Sequence, residues 1–152
     1  MTSDIIIPQV SEIEITYKPV IKPSEMVKIT CSKDAERILR SIWGSDITYR
    51  ESFYALYLNR ANKVLGYQLI SIGGISGTVV DVRCIYLAAL KALSSNLILS
   101  HNHPSGNGEA SDADIKITKK LKEAGNLLDI TLLDHLILLP EGYTSLADEG
   151  LL

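Results

Sequence analysis

The sequence predicts an α/β fold, a three-layer sandwich with a mixed β-sheet and helices on both faces. Three observations point there. From residue 51 to residue 139, apolar runs of strand length alternate with stretches of helical apolar spacing, the pattern of layered α/β domains. The order is a hairpin, a helix, a short buried strand, a second helix and further strands. The chain of 152 residues, 46% hydrophobic and 22% charged, is large enough to bury one real core. The organisation read from this is an N-terminal arm over residues 1–45, with a short strand and a helix, and a domain over residues 46–152.

Taken in order, Ile13-Glu14-Ile15-Thr16-Tyr17 alternates apolar and polar residues as a strand does, in surroundings broken by Pro8, Pro19 and Pro23. The segment reads as a loosely attached leader, with pairing to a second copy or to another sheet edge as the alternative. Ser32 caps a helix that runs to about Trp43, with Ala35, Ile38, Leu39 and Ile42 on its apolar face and Gly44 as its stop. Residues 51–58 and 64–72 read as two strands of a hairpin, joined by a polar turn over 59–63. Gly73, Gly74 and Gly77, with Ser76 and Thr78, form a turn-rich segment expected to pass close to a site or lie along a substrate groove. It matches neither a P-loop nor G-x-G-x-x-G.

Asp81 caps the next helix, whose core stripe is Val82, Ile85, Tyr86, Ala89, Leu90 and Leu93. Residues 97–100 form a short buried strand. The helix after Ser111 runs to Ala124 and stops at Gly125, with Lys116, Lys119, Lys120 and Lys122 on its solvated face. Residues 127–139 hold a strand interrupted by the polar pair Asp134-His135. His135 reads either as a satisfied, partly buried histidine or as one that serves a site. Pro140-Glu141-Gly142 is a turn, and residues 143–152 close the chain.

The chemistry concentrates at residues 97–114. An apolar run ends in His101-Asn102-His103, Pro104, Gly106 and Gly108 turn the chain, and Ser111-x-x-Asp114 starts a helix. Two of the three histidines lie here. In extended backbone alternate side chains share a face, so His101 and His103 point the same way, roughly 7 Å apart at Cα. The turn can return Asp114 toward them. Two imidazoles and a carboxylate make a catalytic zinc ligand set with a fourth position left for water. Ser111-x-x-Asp114 is equally a capping-box variant, which needs no metal.

Several classes drop out. The helical H-E-x-x-H zincin motif and the H-x-E with P-C-x-x-C deaminase pattern are both missing. Cys31 and Cys84 are isolated, the usage of a reducing cytoplasm. A net charge of −3 and a pI near 5.6 leave no basic footprint for nucleic acid. No apolar run reaches membrane-spanning length, and no basic-then-apolar leader opens the sequence. The expectation is a soluble cytoplasmic protein with no membrane partner.

The spacing His-x-His, seven residues, Ser, two residues, Asp resembles the metal-binding signature of the JAMM (MPN+) metalloprotease superfamily. His101-Asn102-His103-Pro104-Ser105-Gly106, Lys120-Leu121-Lys122-Glu123-Ala124-Gly125 and Leu133-Asp134-His135-Leu136-Ile137 resemble its bacterial RadC-like branch. The resemblance covers residues 46–152 and implies a JAB/MPN, cytidine-deaminase-like fold and a zinc-dependent hydrolase. It implies His101, His103 and Asp114 as metal ligands and places the general base on an upstream strand, at Glu51. Glu109, inside the metal loop, is the rival. In the implied scheme Glu51 takes the proton of a zinc-activated water and returns it to the departing amine. Ser111 donates a hydrogen bond to the developing oxyanion, and the substrate is a peptide or protein cleaved at a peptide or isopeptide amide. RadC-like proteins often carry an N-terminal helix-hairpin-helix region associated with DNA, and the first 45 residues here lack its glycine hairpins. A DNA-repair or DNA-processing role and a non-catalytic metal-bound interaction module stand as alternatives.

Overall fold

The computed structural model of the chain describes residues 9–73 and 79–152. Its helices are α1 (Ser32–Trp43), α2 (Val82–Lys91) and α3 (Asp112–Leu127). Its strands are β1 (Ser52–Leu58), β2 (Val64–Ile72), β3 (Asn96–Asn102), β4 (Thr131–Leu138) and β5 (Tyr143–Ser145). Short 3-10 turns lie at Pro23–Glu25 and Gly44–Thr48. The strands form one sheet in the order β2-β1-β3-β4-β5. Among them only β3 and β4 run parallel, so the sheet is mixed, as the sequence predicts.

The period-2 geometry of β1 explains the three layers. Phe53, Ala55 and Tyr57 point to one face, where α2 (Ile85, Tyr86, Ala89) and α3 (Leu121) cover them. Leu56 and Leu58 point to the other, against Ala35, Leu39 and Trp43 of α1. A strand buried on both faces reads as a near-continuous apolar run, which is what β1 and β3 are. Helix α1, expected to belong with the arm, therefore packs in the same core as the central strands. Its N-cap is Cys31 and not the expected Ser32, which is the first helical residue and turns its hydroxyl to Asp148 and Tyr143. The helix stops at Gly44, whose φ of +66° suits a residue without Cβ.

The structure corrects four further expectations. The strand over residues 13–17 does not form. Ile13 and Ile15 lie exposed, because no neighbouring layer buries their alternating face. Leu90 and Leu93 leave the core stripe of α2: the helix ends at Lys91, and Leu93 sits in a left-handed turn, exposed. Gly125 does not stop α3, which continues to Leu127. Its role is steric, since a Cβ there would collide with the Ile130 carbonyl and the Tyr86 hydroxyl. Finally, Asp134 and His135 do not interrupt β4, which runs through them. Asp134 is satisfied in place by the Ser145 hydroxyl at 2.6 Å and the His135 N–H at 2.7 Å.

The expected glycine-rich segment falls at its residues 74–78 outside the described residues. Gly73, at its start, donates its N–H to the Glu51 carbonyl at 2.9 Å. No helix among the described residues is long and apolar enough to cross a membrane.

Candidate metal centre

Strand β3 lies in the middle of the sheet, with His101 paired to Phe53 of β1 and to Ile137 of β4. The strand is longer than the sequence predicts and carries His101 and Asn102 within it. His103 follows directly, its N–H bonded to the Leu138 carbonyl at 2.9 Å, so the extended backbone continues through both histidines. The chain then turns at Gly106, where φ is +84°.

The return to α3 is fixed by a capping box. Ser111 Oγ accepts from the Asp114 N–H at 3.1 Å, and Asp114 Oδ2 accepts from the Ser111 N–H at 2.9 Å. That box turns the carboxylate toward the imidazoles. Asp114 Oδ1 lies 3.2 Å from His101 Nε2 and Oδ2 lies 3.4 Å from His103 Nε2. The two Nε2 atoms are 3.0 Å apart. The sequence left cap and ligand as alternatives for Asp114; the same carboxylate that caps the helix also faces both imidazoles.

The donor set, two imidazoles and one carboxylate, suits a zinc ion. The two Nε2 atoms lie close together, a different oxygen of Asp114 faces each of them, and one ligand atom from each residue lies within 4.8 Å of the other two. His103 Nδ1 lies 2.7 Å from the Asn107 carbonyl, which can only accept, so the Nδ1 carries the hydrogen. In neutral His103 the lone pair is then on Nε2, facing the cluster. The electrostatics agree. Burial pushes the Asp114 carboxyl up, but the facing imidazoles of His101 and His103 outweigh it and hold the group far below the usual carboxylate range. The Asp114 hydrogen bond raises His103 against its partial burial, and Glu51 adds its negative charge to the same effect.

Beside the cluster lies a cleft of about 520 Å³ lined by His103, Ser111, Tyr49 and both sequence candidates for the base, Glu51 and Glu109. Glu109 is exposed on the loop, whereas Glu51 is half-buried directly before β1. Asn102 fixes the Glu51 backbone: its side chain accepts from the Ser52 N–H and donates to the Arg50 carbonyl. Ser111 is exposed at the cleft, with its Oγ lone pair already engaged by the cap.

Two further residues complete the site on its buried side. His101 Nδ1 lies 2.7 Å from His135 Nε2, and His135 Nδ1 lies 2.6 Å from Thr118 Oγ1. Complete burial pushes the His135 imidazole well below its ordinary value, with nearby His101 adding to the effect. The sequence marked His135 through its polarity in an apolar strand. Thr118 passed unnoticed, although its place four residues after Asp114 puts both on one helix face.

A family model described as "RadC-like JAB domain" matches residues 29–151. A "UPF0758 protein" of Flavobacterium johnsoniae is 47% identical over 127 residues, 84% of this chain and 55% of that protein. One from Listeria monocytogenes is 35% identical over 131 residues, 86% of this chain and 58% of its own. One from Methanosarcina mazei is 43% identical over 101 residues, 66% of this chain and 44% of its own. The chain thus spans about half the length of the curated relatives it matches.

Proposed function

This chain belongs to the RadC-like JAB domain family, and we propose that its His101, His103 and Asp114 hold the zinc of a hydrolase acting on a peptide or isopeptide amide. The observation that carries the reading is the convergence of two imidazoles and a carboxylate, with ligand atoms within 4.8 Å of one another, beside a cleft lined by Glu51 and Ser111.

Zinc held there supplies Lewis acidity that brings the pKa of water from about 15.7 to about 7. Glu51, at the cleft wall, takes the proton as the water oxygen adds to the amide carbon, and returns it to nitrogen as the C–N bond breaks. Asn102 keeps that carboxylate's backbone in place. The Ser111 hydroxyl, its oxygen engaged by the helix cap, directs its hydrogen to the carbonyl oxygen as charge develops there. A donor of this kind is worth about 3 kcal/mol. The free Cys31 and Cys84 suit a reducing compartment, and a net charge of −3 does not favour DNA as the ligand.

The test is metal content by mass spectrometry on untagged protein, wild type beside Asp114→Ala. About one zinc per chain, lost in the variant, is expected. Peptide and isopeptide substrates are then screened with Glu51→Gln as control, which should keep its zinc and lose about 10²–10⁴-fold in turnover. No metal in either protein, and no uptake on adding zinc, removes the proposal.

A further inference from the structure

We propose that Thr118 and His135 are positioning residues that lock the tautomer of His101, so that its Nε2 always presents a lone pair to the ligand cluster. The proposal rests on the metal-centre reading for its purpose, and its first measurement needs no metal.

Each hydrogen along a buried chain of contacts has only one place to sit. The chain starts at the Asp114 backbone carbonyl, which has no hydrogen to give. Thr118 Oγ1 lies 2.6 Å away, one helical turn on, so the hydroxyl hydrogen is committed to that carbonyl. The same oxygen lies 2.6 Å from His135 Nδ1 and can then only accept, which places the hydrogen on Nδ1. His135 is wholly buried, and its hydrogen-bond partners are a hydroxyl and an imidazole, with no carboxylate among them. It is a neutral ring with one hydrogen, and its Nε2 is an acceptor. His101 Nδ1, 2.7 Å away, must donate to it. The lone pair of a neutral His101 is left on Nε2, 3.2 Å from Asp114 Oδ1.

The chain closes on itself. It leaves from the Asp114 carbonyl, crosses α3, β4 and β3, and returns to the Asp114 carboxylate. The first turn of α3 therefore supplies one ligand and sets the tautomer of another. The parallel register of β3 and β4, with Leu99 opposite His135, fixes the reach between the rings. Phe53 seals the far side, stacked on His101 and edge-on to His135.

Replacing Thr118 by Val removes the acceptor for His135 Nδ1–H. His135 is then better satisfied with its hydrogen on Nε2, donating to His101 Nδ1. That moves the His101 hydrogen onto the ligand nitrogen. The experiment is nitrogen-15 NMR of the imidazole rings in metal-free wild type, Thr118→Val and Thr118→Ser, followed by zinc affinity in competition with a chelating dye. Wild type and Thr118→Ser are expected with hydrogen on Nδ1 of both His101 and His135. Thr118→Val should shift both toward the Nε2 form and weaken zinc about 10–100-fold. A wild-type His101 protonated at Nε2 overturns the proposal outright, whatever the folding of the variants. So does a Thr118→Val protein with unchanged tautomers. Predicted tautomers in a protein that takes up no zinc would leave the lock standing and remove the proposed function instead.

Discussion

Asn102 holds Glu51 from both sides. Its Oδ1 accepts from the Ser52 N–H at 2.8 Å, and its Nδ2 donates to the Arg50 carbonyl at 2.7 Å and to the Ile47 carbonyl at 2.9 Å. The side chain between the two histidines points away from them and ties the backbone around the proposed base to the strand that carries the ligands. Replacing Asn102 by Ala strands one N–H and two carbonyls. A buried polar group left unpaired costs about 1–3 kcal/mol. Urea unfolding should show a loss of about 3 kcal/mol or more. Zinc content should hold, because the ligands keep their own supports, while turnover falls with the displaced carboxylate. A variant as stable as wild type would mean that the segment before β1 has other anchors.

What the sequence disclosed and what it hid follow from where the signals lie. His101, His103 and Asp114 fall within fourteen residues, and strand and helix periodicities suffice to bring them together. Glu51 lies fifty residues upstream of His101, and only a family resemblance pointed to it. Asn102 was hidden because its partners are backbone groups, which leave no mark in a sequence. The Thr118–His135 contact joins a helix to the following strand, and its distance depends on packing that no local pattern encodes. The misread segment at 13–17 has the same cause. Alternation shows what a strand needs, and only a neighbouring layer decides whether that need is met.

Ser111 and Asp114 allow cap and ligand to be separated. Asp114→Asn keeps an oxygen for the Ser111 N–H but loses the charge, so it should fold near wild type and bind no zinc. Asp114→Ala loses both and should be less stable than Asn by about 1 kcal/mol, the typical worth of a cap. Ser111→Ala should cost a similar amount in thermal unfolding, retain zinc, and lose about 10²-fold in turnover through the missing donor. A Ser111→Ala protein with full activity would leave the hydroxyl as a cap alone.

At the proposed metal site a proton and a cation would compete for His103. The Asp114 hydrogen bond outweighs desolvation and raises the folded value above the ordinary imidazole value of about 6.5. In metal-free protein the protonated ring contributes stability that is fully present below the unfolded value and is lost as pH rises through the raised folded value. Zinc needs the deprotonated ring, so its affinity moves the opposite way. It should climb through that window and level off above it. Calorimetry in two buffers of different ionisation enthalpy should find about one proton released per zinc below the raised value, falling toward none above it. Affinity independent of pH across the window would mean that His103 is not a ligand.

Gly125 joins the two elements that carry Thr118 and His135. Its carbonyl accepts the Ile130 N–H at 2.8 Å, and Ile130 leads directly into β4. A Cβ on residue 125 would meet the Ile130 carbonyl oxygen, a backbone atom with no rotamer to escape into, and the hydroxyl through which Tyr86 bonds Leu121. Gly125→Ala gains about 1 kcal/mol of helix propensity. The overpacking costs about 1–3 kcal/mol, and the displaced Tyr86 hydrogen bond adds to it, so the net effect is a loss of about 2 kcal/mol. Combining it with Tyr86→Phe should recover only part of that loss, since the collision with Ile130 remains. The distinguishing measurement is zinc affinity in Gly125→Ala. A shift of β4 away from α3 lengthens the Thr118–His135 contact, so binding should weaken in the same direction as in Thr118→Val. Destabilisation with unchanged zinc affinity would mean that the strand accommodates the methyl group without moving His135.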